Sequence, residues 1–219
     1  NMNKQSTIIV TGGLGFIGSH LIDKLVELYG NSKTIICIDN LSTGKWENRN
    51  KSENVIYLPN TGVEYLSTRL LTEYYAYSVN NDIYTIKDMC YNNSGYIQFK
   101  DFNIETIFHL AALPRIQPSF ENPVEVMEVN CQGTLKVLEF ARKYGSKVIF
   151  AGSSSVYHDP FANPYSHSKY IAEQYCGLYN KIYDVPVAIA RFFNVYGPRH
   201  IREGKYATLI GIFEHQKLN

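Results

Sequence analysis

Three side chains in the second half of the chain could pass a proton between them. Tyr165 and Lys169 stand at i and i+4 in Tyr165-Ser166-His167-Ser168-Lys169, and Ser153 lies twelve residues before the tyrosine. A free phenol, with a pKa of about 10, is a poor base at neutral pH. A nearby ammonium stabilises the phenolate and makes it a usable one, and Lys169 is spaced to do this. Ser153 would then hydrogen-bond a substrate hydroxyl or carbonyl and share its proton with Tyr165. Alone, each feature has a plainer reading: Tyr-x-x-x-Lys is usually an exposed helical pair, and serine clusters such as Ser153-Ser154-Ser155 are usually turn formers. A second constellation, near the start of the chain, changes their weight.

There, Thr11-Gly12-Gly13-Leu14-Gly15-Phe16-Ile17-Gly18 follows an apolar run and opens an apolar-periodic stretch through Ile22, Leu25, Val26 and Tyr29. Strand, glycine turn and helix in that order make a phosphate cradle. The turn needs positive φ, the backbone must approach a pyrophosphate closely, and the helix must pack tightly on the strand. The helix N-terminus adds unpaired N–H donors and the positive end of its dipole. Gly13, Gly15 and Gly18 fit Gly-x-Gly-x-x-Gly, and Gly12, Gly15 and Gly18 fit Gly-x-x-Gly-x-x-Gly. Asp39 ends the next apolar run twenty-one residues after Gly18, close to the ~20 of the acid that accepts both hydroxyls of a ribose. A carboxylate there repels a 2′-phosphate, so NAD is preferred over NADP. The plainer reading is a glycine turn and a solvated acid without a ligand.

These groups must be held by a sheet. Apolar β-rich runs recur at Thr7 to Val10, Thr34 to Asp39, Ile83 to Asp88, Thr106 to Leu110, Val148 to Ala151 and Val187 to Phe193, with helical stretches between them. That alternation implies a parallel sheet with crossover helices. The runs are continuously apolar, which implies cover on both faces. The expected fold is therefore α/β, a doubly wound parallel sheet of the Rossmann kind. After Pro164 the pattern is helical to Tyr183, which sets Tyr165 and Lys169 on one helix face addressing the strand ends. A Tyr- and Asn-rich piece, about 45–81, reads as an irregular insertion with a helix around Val63 to Ser78. The expected division is a dinucleotide-binding domain over 1–193 and the start of a truncated substrate-binding lobe over 194–219.

Bulk properties narrow the function classes. With 21 Lys and Arg against 20 Asp and Glu, no overall field draws the chain to nucleic acid or an anionic membrane. A chain of 219 residues, 45% of them hydrophobic, has the material for one sizeable core. No signal-peptide pattern opens it and no apolar run nears membrane-spanning length, so it reads as soluble and cytoplasmic. Cys37, Cys90, Cys131 and Cys176 are isolated, without metal-ligand spacing, and read as reduced thiols with no metal site.

Taken together, Thr11 to Gly18, Asp39 to Gly44, His109 to Leu113, Asn130 to Thr134, Ser153 to Tyr157, Tyr165 to Lys169 and Arg191 to Arg199 resemble the motif set of the extended short-chain dehydrogenase/reductases. The resemblance is specifically to the NAD-dependent epimerase/dehydratase family typified by UDP-glucose 4-epimerase. It implies a cofactor-binding set of Gly12, Gly15, Phe16, Ile17, Gly18, Asp39, Asn40, Ser42, Thr43, Gly44, Asp88, Met89, Leu110, Ala111, Ala112, Asn130, Tyr165, Lys169 and Phe193. Within it, Asp88 and Met89 would contact adenine, Asn130 would fix the site's geometry from its helix, and Phe193 would abut the nicotinamide. The implied substrate-binding residues are Ser153, Ser154, Asn194, Arg115 and Arg199. His109, ending an apolar strand, is expected to be packed rather than to act as an acid or base.

The resemblance further implies that Tyr165 takes the proton of a sugar 4-hydroxyl while a hydride passes to NAD, giving a 4-keto sugar; an epimerase returns the hydride to the opposite face. In the 4,6-dehydratases an Asp-Glu pair follows the catalytic Ser or Thr, whereas here Ser154 and Ser155 stand there, which disfavours dehydration. The expected substrate is a UDP-hexose-like nucleotide-sugar, and Leu113-Pro114-Arg115 resembles epimerases acting on N-acetylated UDP-hexoses. The short stretch between Tyr157 and Tyr165, with His158 in place of a glycine, implies altered pocket walls, and relatives continue further into the substrate lobe. Alternatives on the same scaffold are a dehydratase, decarboxylase or reductase, or a non-catalytic NAD-binding module. A homodimer is expected, through the helices near Pro123 to Tyr144 and Pro164 to Tyr183.

Overall fold

The computed structural model describes residues 5–59 and 99–218. The strand expected at Ile83 to Asp88, the helix at Val63 to Ser78, and Asp88, Met89 and Cys90 lie outside them. Among the described residues, β1 (Ser6–Thr11), β2 (Thr34–Asp39), β3 (Val55–Pro59), β4 (Asn103–His109), β5 (Lys147–Ser153) and β6 (Val187–Phe192) form one sheet. Every neighbouring pair is parallel, in the order β3-β2-β1-β4-β5-β6. This is the doubly wound Rossmann order. It reverses between β1 and β4, and ligands of such sheets bind outside the carboxyl ends of the strands at that switch point.

The helices are α1 (Phe16–Tyr29), α2 (Ile116–Glu121), α3 (Pro123–Met127), α4 (Gly133–Tyr144), α5 (Pro164–Tyr183) and α6 (Leu209–Leu218). Alternation along each strand sends side chains to opposite faces, and both faces of the central strands are covered. Ile8 and Val10 of β1 join Leu14, Ile22 and Leu25 beneath α1. Ile9 joins Ile107, Val137, Leu138, Phe140, Val148 and Phe150 on the side of α4 and α5. With Ile9, Ile35, Ile36 and Ile107 fully buried, truncating any one of them to alanine would cost about 2–5 kcal/mol.

Two expectations are corrected. The piece read as irregular contains β3, which pairs with β2 from Ile35↔Val55 to Asp39↔Pro59. Its Val55-Ile56-Tyr57-Leu58 is a good strand sequence, with Pro59 at its last position. The expected cover on both faces fails at β6, the last strand of the described sheet: Ala188 to Arg191 are exposed among the described residues, where the described helices leave the strand largely uncovered.

Candidate active site

The cradle lies at the end of β1. Gly12 takes φ +71° and hands its N–H to the Ile38 carbonyl at 2.8 Å; a Cβ there would stand 2.8 Å from the Ala111 nitrogen. Only glycine meets both demands. At Gly18 a Cβ would stand 2.1 Å from the Gly12 carbonyl oxygen, so the first turn of α1 lies directly on the glycine bend. The helix begins after Gly15 with no side-chain cap and no acidic residue in its first turn. The N–H groups of Phe16, Ile17 and Gly18 therefore have no partner within the helix, and its dipole is uncompensated at that end.

Asp39 closes the next side of the cleft. Its buried carboxylate accepts the Leu14 N–H at 2.9 Å and the Leu41 N–H at 2.8 Å, one on each oxygen. Burial raises its pKa against those bonds. Gly44 packs against the same group, since a Cβ there would meet Oδ1 at 2.8 Å. Asn40 turns the segment by accepting the Ser42 N–H at 3.1 Å, and Thr43 lies half-buried between Ser42 and Gly44. A carboxylate offers about four lone-pair sites, more than the backbone N–H groups of Leu14, Leu41 and Gly15 occupy, which leaves capacity for a further donor.

Across the switch point a buried relay fixes the start of the Leu110-Ala111-Ala112 segment. The Thr134 hydroxyl donates to the Asn130 carbonyl at 2.6 Å, so its oxygen accepts from His109 Nε2 at 3.1 Å. Nδ1 must then accept from the Thr11 hydroxyl at 2.8 Å, whose oxygen takes the Ala111 N–H at 3.2 Å. Burial drops its pKa to about 3, which keeps the ring neutral and so fixes these directions. His109 is the packed histidine that its position suggested. Asn130 occupies a π-helical turn, Glu128–Gln132, between α3 and α4; such turns are frequent at functional sites. Its amide pins Leu113 through both backbone groups, at 2.8 and 3.1 Å, and donates to the Ser168 hydroxyl at 2.9 Å.

The proton-transfer residues come together at the end of β5. Asn163 caps α5 by accepting the Ser166 N–H at 2.8 Å, Pro164 starts the helix, and Ser119 of α2 accepts the Tyr165 N–H at 3.1 Å. The start of the helix is thus fixed by its cap and by a neighbouring element. The Tyr165 hydroxyl donates to Ser153 Oγ over a long 3.4 Å, and that oxygen also accepts the Ser155 N–H at 3.2 Å. With its oxygen so used, the Ser153 hydroxyl proton is left to donate into the cleft.

Lys169 shares the helix face with Tyr165, but its ammonium is directed elsewhere. Nζ donates to the Ala151 carbonyl at 2.7 Å and sits 4.9 Å above the centre of the Phe150 ring. Burial lowers its pKa to about 8. Burial also raises the Tyr165 phenol above its usual range, and the Ser153 bond and the Arg115 guanidinium pull it back. Arg115 holds a strained φ of +87°, a conformation that costs on the order of 1–3 kcal/mol and clusters at functional sites. Its Nε donates to the Tyr206 carbonyl at 3.3 Å.

The remaining expected residues are dispersed. Ser154 starts the 3-10 turn Ser154–Tyr157 after β5. Phe193 is 70% exposed and stacks on Tyr157 at 6.2 Å, and Asn194 is exposed beside it. Arg199, expected at substrate phosphates, is instead paired at 2.7 Å with Asp23 of α1, because the backbone after β6 folds against that helix and the Pro198 carbonyl meets His20 at 2.8 Å. Sequence reasoning missed Ser119, Ser168, Thr11 and Thr134 as supports. Thr11, Thr134 and Ser168 each lie inside a stretch already singled out, which could have marked them; Ser119 carried no such signal.

Residues 8–217 match the model of the NAD dependent epimerase/dehydratase family. Among curated relatives, a putative UDP-glucose 4-epimerase of Methanocaldococcus jannaschii is 38% identical over 220 residues, covering 94% of this chain and 61% of that protein. UDP-glucuronic acid decarboxylase 1 of Xenopus tropicalis is 30% identical over 223 residues, covering 93% of this chain and 45% of that protein. Among solved structures, the UDP-glucose 4-epimerase of Thermotoga maritima with UDP-glucose superposes with a TM-score of 0.76 at 30% identity, covering 97% of this chain and 63% of that one. This chain therefore spans less than two thirds of the length of each.

Proposed function

The chain belongs to the NAD dependent epimerase/dehydratase family, and from that premise we propose that it serves NAD-dependent epimerisation of a UDP-hexose-like nucleotide-sugar at C4, through a 4-keto sugar. The observation that carries the reading is the Tyr165–Ser153 hydrogen bond on the same sheet edge as the glycine cradle and Asp39. A dinucleotide sensor would need the cradle and the acid but no proton-transfer pair.

The residues present fit the dinucleotide. Gly12 and Gly18 let the bend, the Leu110–Ala111 backbone and the first turn of α1 approach more closely than any Cβ allows, the first N–H groups of α1 would take the pyrophosphate, and Asp39 would take the adenosine ribose. Leu110, Ala111 and Ala112 would line the cofactor, and Phe193 would cover its nicotinamide end. Bound there, NAD would accept the C4 hydride and return it. The chain's own task is the proton. Ser153 orients the 4-hydroxyl by hydrogen bonding, and Tyr165 takes its proton as the C4–O bond becomes a carbonyl, then gives it back. With its ordinary pKa raised by burial, Tyr165 is a base only when positive charge gathers around it. Arg115 contributes part of that charge, and the Lys169 ammonium, one helical turn on at the end of β5, would contribute more. Asn194 would meet the substrate diphosphate.

A second reading, decarboxylation of a UDP-hexuronic acid, is favoured by the similarity to the Xenopus decarboxylase and by Arg115 beside Tyr165, where a carboxylate would be attracted. It begins with the same oxidation at C4. Dehydration is the weakest variant, since Ser154 and Ser155 cannot do the acid–base work of an Asp-Glu pair. We extend the proposal to a homodimer: Val124 of α3 and Leu178 and Ile182 of α5 remain exposed, as two copies pairing these helices would require. The test is product analysis by NMR after incubating a full-length form with UDP-glucose, UDP-N-acetylglucosamine, dTDP-glucose and UDP-glucuronic acid. A C4-inverted hexose supports epimerisation; a pentose with carbon dioxide, or loss of the C6 oxygen, overturns it in favour of the corresponding alternative.

A further inference from the structure

Three consecutive residues at the end of β5 each receive one side chain from α5. The Ala151 carbonyl takes Lys169, the Ser153 hydroxyl takes Tyr165, and Gly152 between them is covered by Glu173. A Cβ on Gly152 would stand 2.7 Å from Glu173 Oε1, so the carboxylate lies against bare backbone. Glu173 follows Lys169 by one helical turn, on the same buried face, and its side chain is only 5% exposed.

That carboxylate is gripped from the next strand. Arg191 pairs with Gly152 in the β5–β6 ladder. Its Nε reaches Oε1 at 3.2 Å and Oε2 at 3.1 Å, its Nη2 reaches Oε2 at 2.8 Å, and its Nη1 donates to the Tyr157 hydroxyl at 3.0 Å. Forked pairing of this kind fixes geometry as well as charge. It is a poor device for stability, because the desolvation of a buried carboxylate offsets much of the attraction and an apolar side chain would fill the space as well. What an apolar side chain could not supply is a negative charge one turn from Lys169.

We propose that Glu173, clamped by Arg191, is a positioning residue for Lys169: its carboxylate keeps that side chain an ammonium and seated at the end of β5, beside Ser153. The proposal rests on the reading of Tyr165 and Lys169 as the proton-transfer pair. The other titratable groups acting with Lys169 are Cys176 on its own helix, Cys131 on the π-helical turn, and His109 on β4, which is held neutral. Of these, Glu173 is the strongest influence holding the proton on Lys169 against burial.

The test needs no turnover, so it stays informative even if no epimerase activity is found. Lysine labelled with 13C at Cε is incorporated into the full-length protein, the Lys169 resonance is assigned with Lys169→Arg, and its midpoint is followed against pH without substrate. Glu173→Gln should lower the midpoint by at least roughly half a pH unit, about a three-fold change in the equilibrium. Should Glu173→Gln fail to fold, the double variant Glu173→Gln/Arg191→Gln leaves no unmatched guanidinium. It should still lower the midpoint, by less than Glu173→Gln alone, because the opposing guanidinium charge leaves together with the carboxylate. A Glu173 with a merely structural role would leave the midpoint unchanged in whichever variant folds, and that result overturns the proposal.

Discussion

The buried relay through His109 makes a quantitative claim about acid. Its imidazole, fully enclosed between Thr11 and Thr134, titrates at about 3 in the folded chain, against about 6.5 in an unfolded one. A folded pKa below the unfolded value means that the unfolded state binds the proton first, so stability falls as pH drops through 6.5 and keeps falling to about 3. At pH 7.5 the cost is negligible. At pH 5 it reaches about 2 kcal/mol, from roughly 1.5 pH units at about 1.4 kcal/mol each. For a chain of this size that is a fall in Tm of about 4–8 °C.

His109→Gln isolates this contribution, because glutamine can donate to Thr134 and accept from Thr11 but takes up no proton. The variant should be less stable at pH 7.5 through imperfect packing, yet lose about 4–8 °C less than the parent between pH 7.5 and 5. Asp39, whose raised pKa works in the opposite sense, is common to both proteins and cancels. Calorimetric melts at the two pH values make the comparison. Equal losses in parent and variant would refute the neutral, buried histidine and with it the hydrogen-bond directions assigned from Thr11 to Asn130.

Gly18→Ala should weaken NAD binding at least about tenfold, or about 1.4 kcal/mol, because a Cβ 2.1 Å from the Gly12 carbonyl forces the bend off the helix; titration calorimetry reads it, and unaltered affinity would contradict the close packing. Asp39→Asn should lower the preference for NAD over NADP at least about tenfold. The charge that repels a 2′-phosphate is gone, and the amide nitrogen would face a backbone N–H where the carboxylate now accepts one. A parent protein that prefers NADP, or an unchanged ratio, would remove Asp39 from that role.

The parts of this molecule that were legible in its sequence are those where backbone geometry restricts the residue. Gly12 and Gly18 could be read because a left-handed turn and a contact with the next turn admit little else, and Asp39 because strand length fixes its distance from them. Tyr165 could be placed at Ser153 because Pro164 announces the helix start. The direction of Lys169 could not be read: four flexible methylenes reach either the phenol or Ala151, and only the contacts with the Ala151 carbonyl and the Phe150 ring decide. The same holds for Arg199, whose pairing with Asp23 depends on how the backbone after β6 folds onto α1. The π-helical turn at Asn130 leaves no periodic trace over five residues. β3 was overlooked because its four apolar residues sit in a polar stretch that as a whole reads as loop.

The central claim is that Tyr165 carries the proton of the sugar hydroxyl while the dinucleotide is held by groups elsewhere on the sheet edge. Tyr165→Phe, in a full-length form with bound NAD quantified on the same sample, tests it most directly. The expected result is nucleotide-sugar turnover reduced at least about a hundredfold, the lower range for a lost general base, with NAD retained at the parental level. Turnover within a few-fold of the parent, with NAD equally bound, would contradict the account.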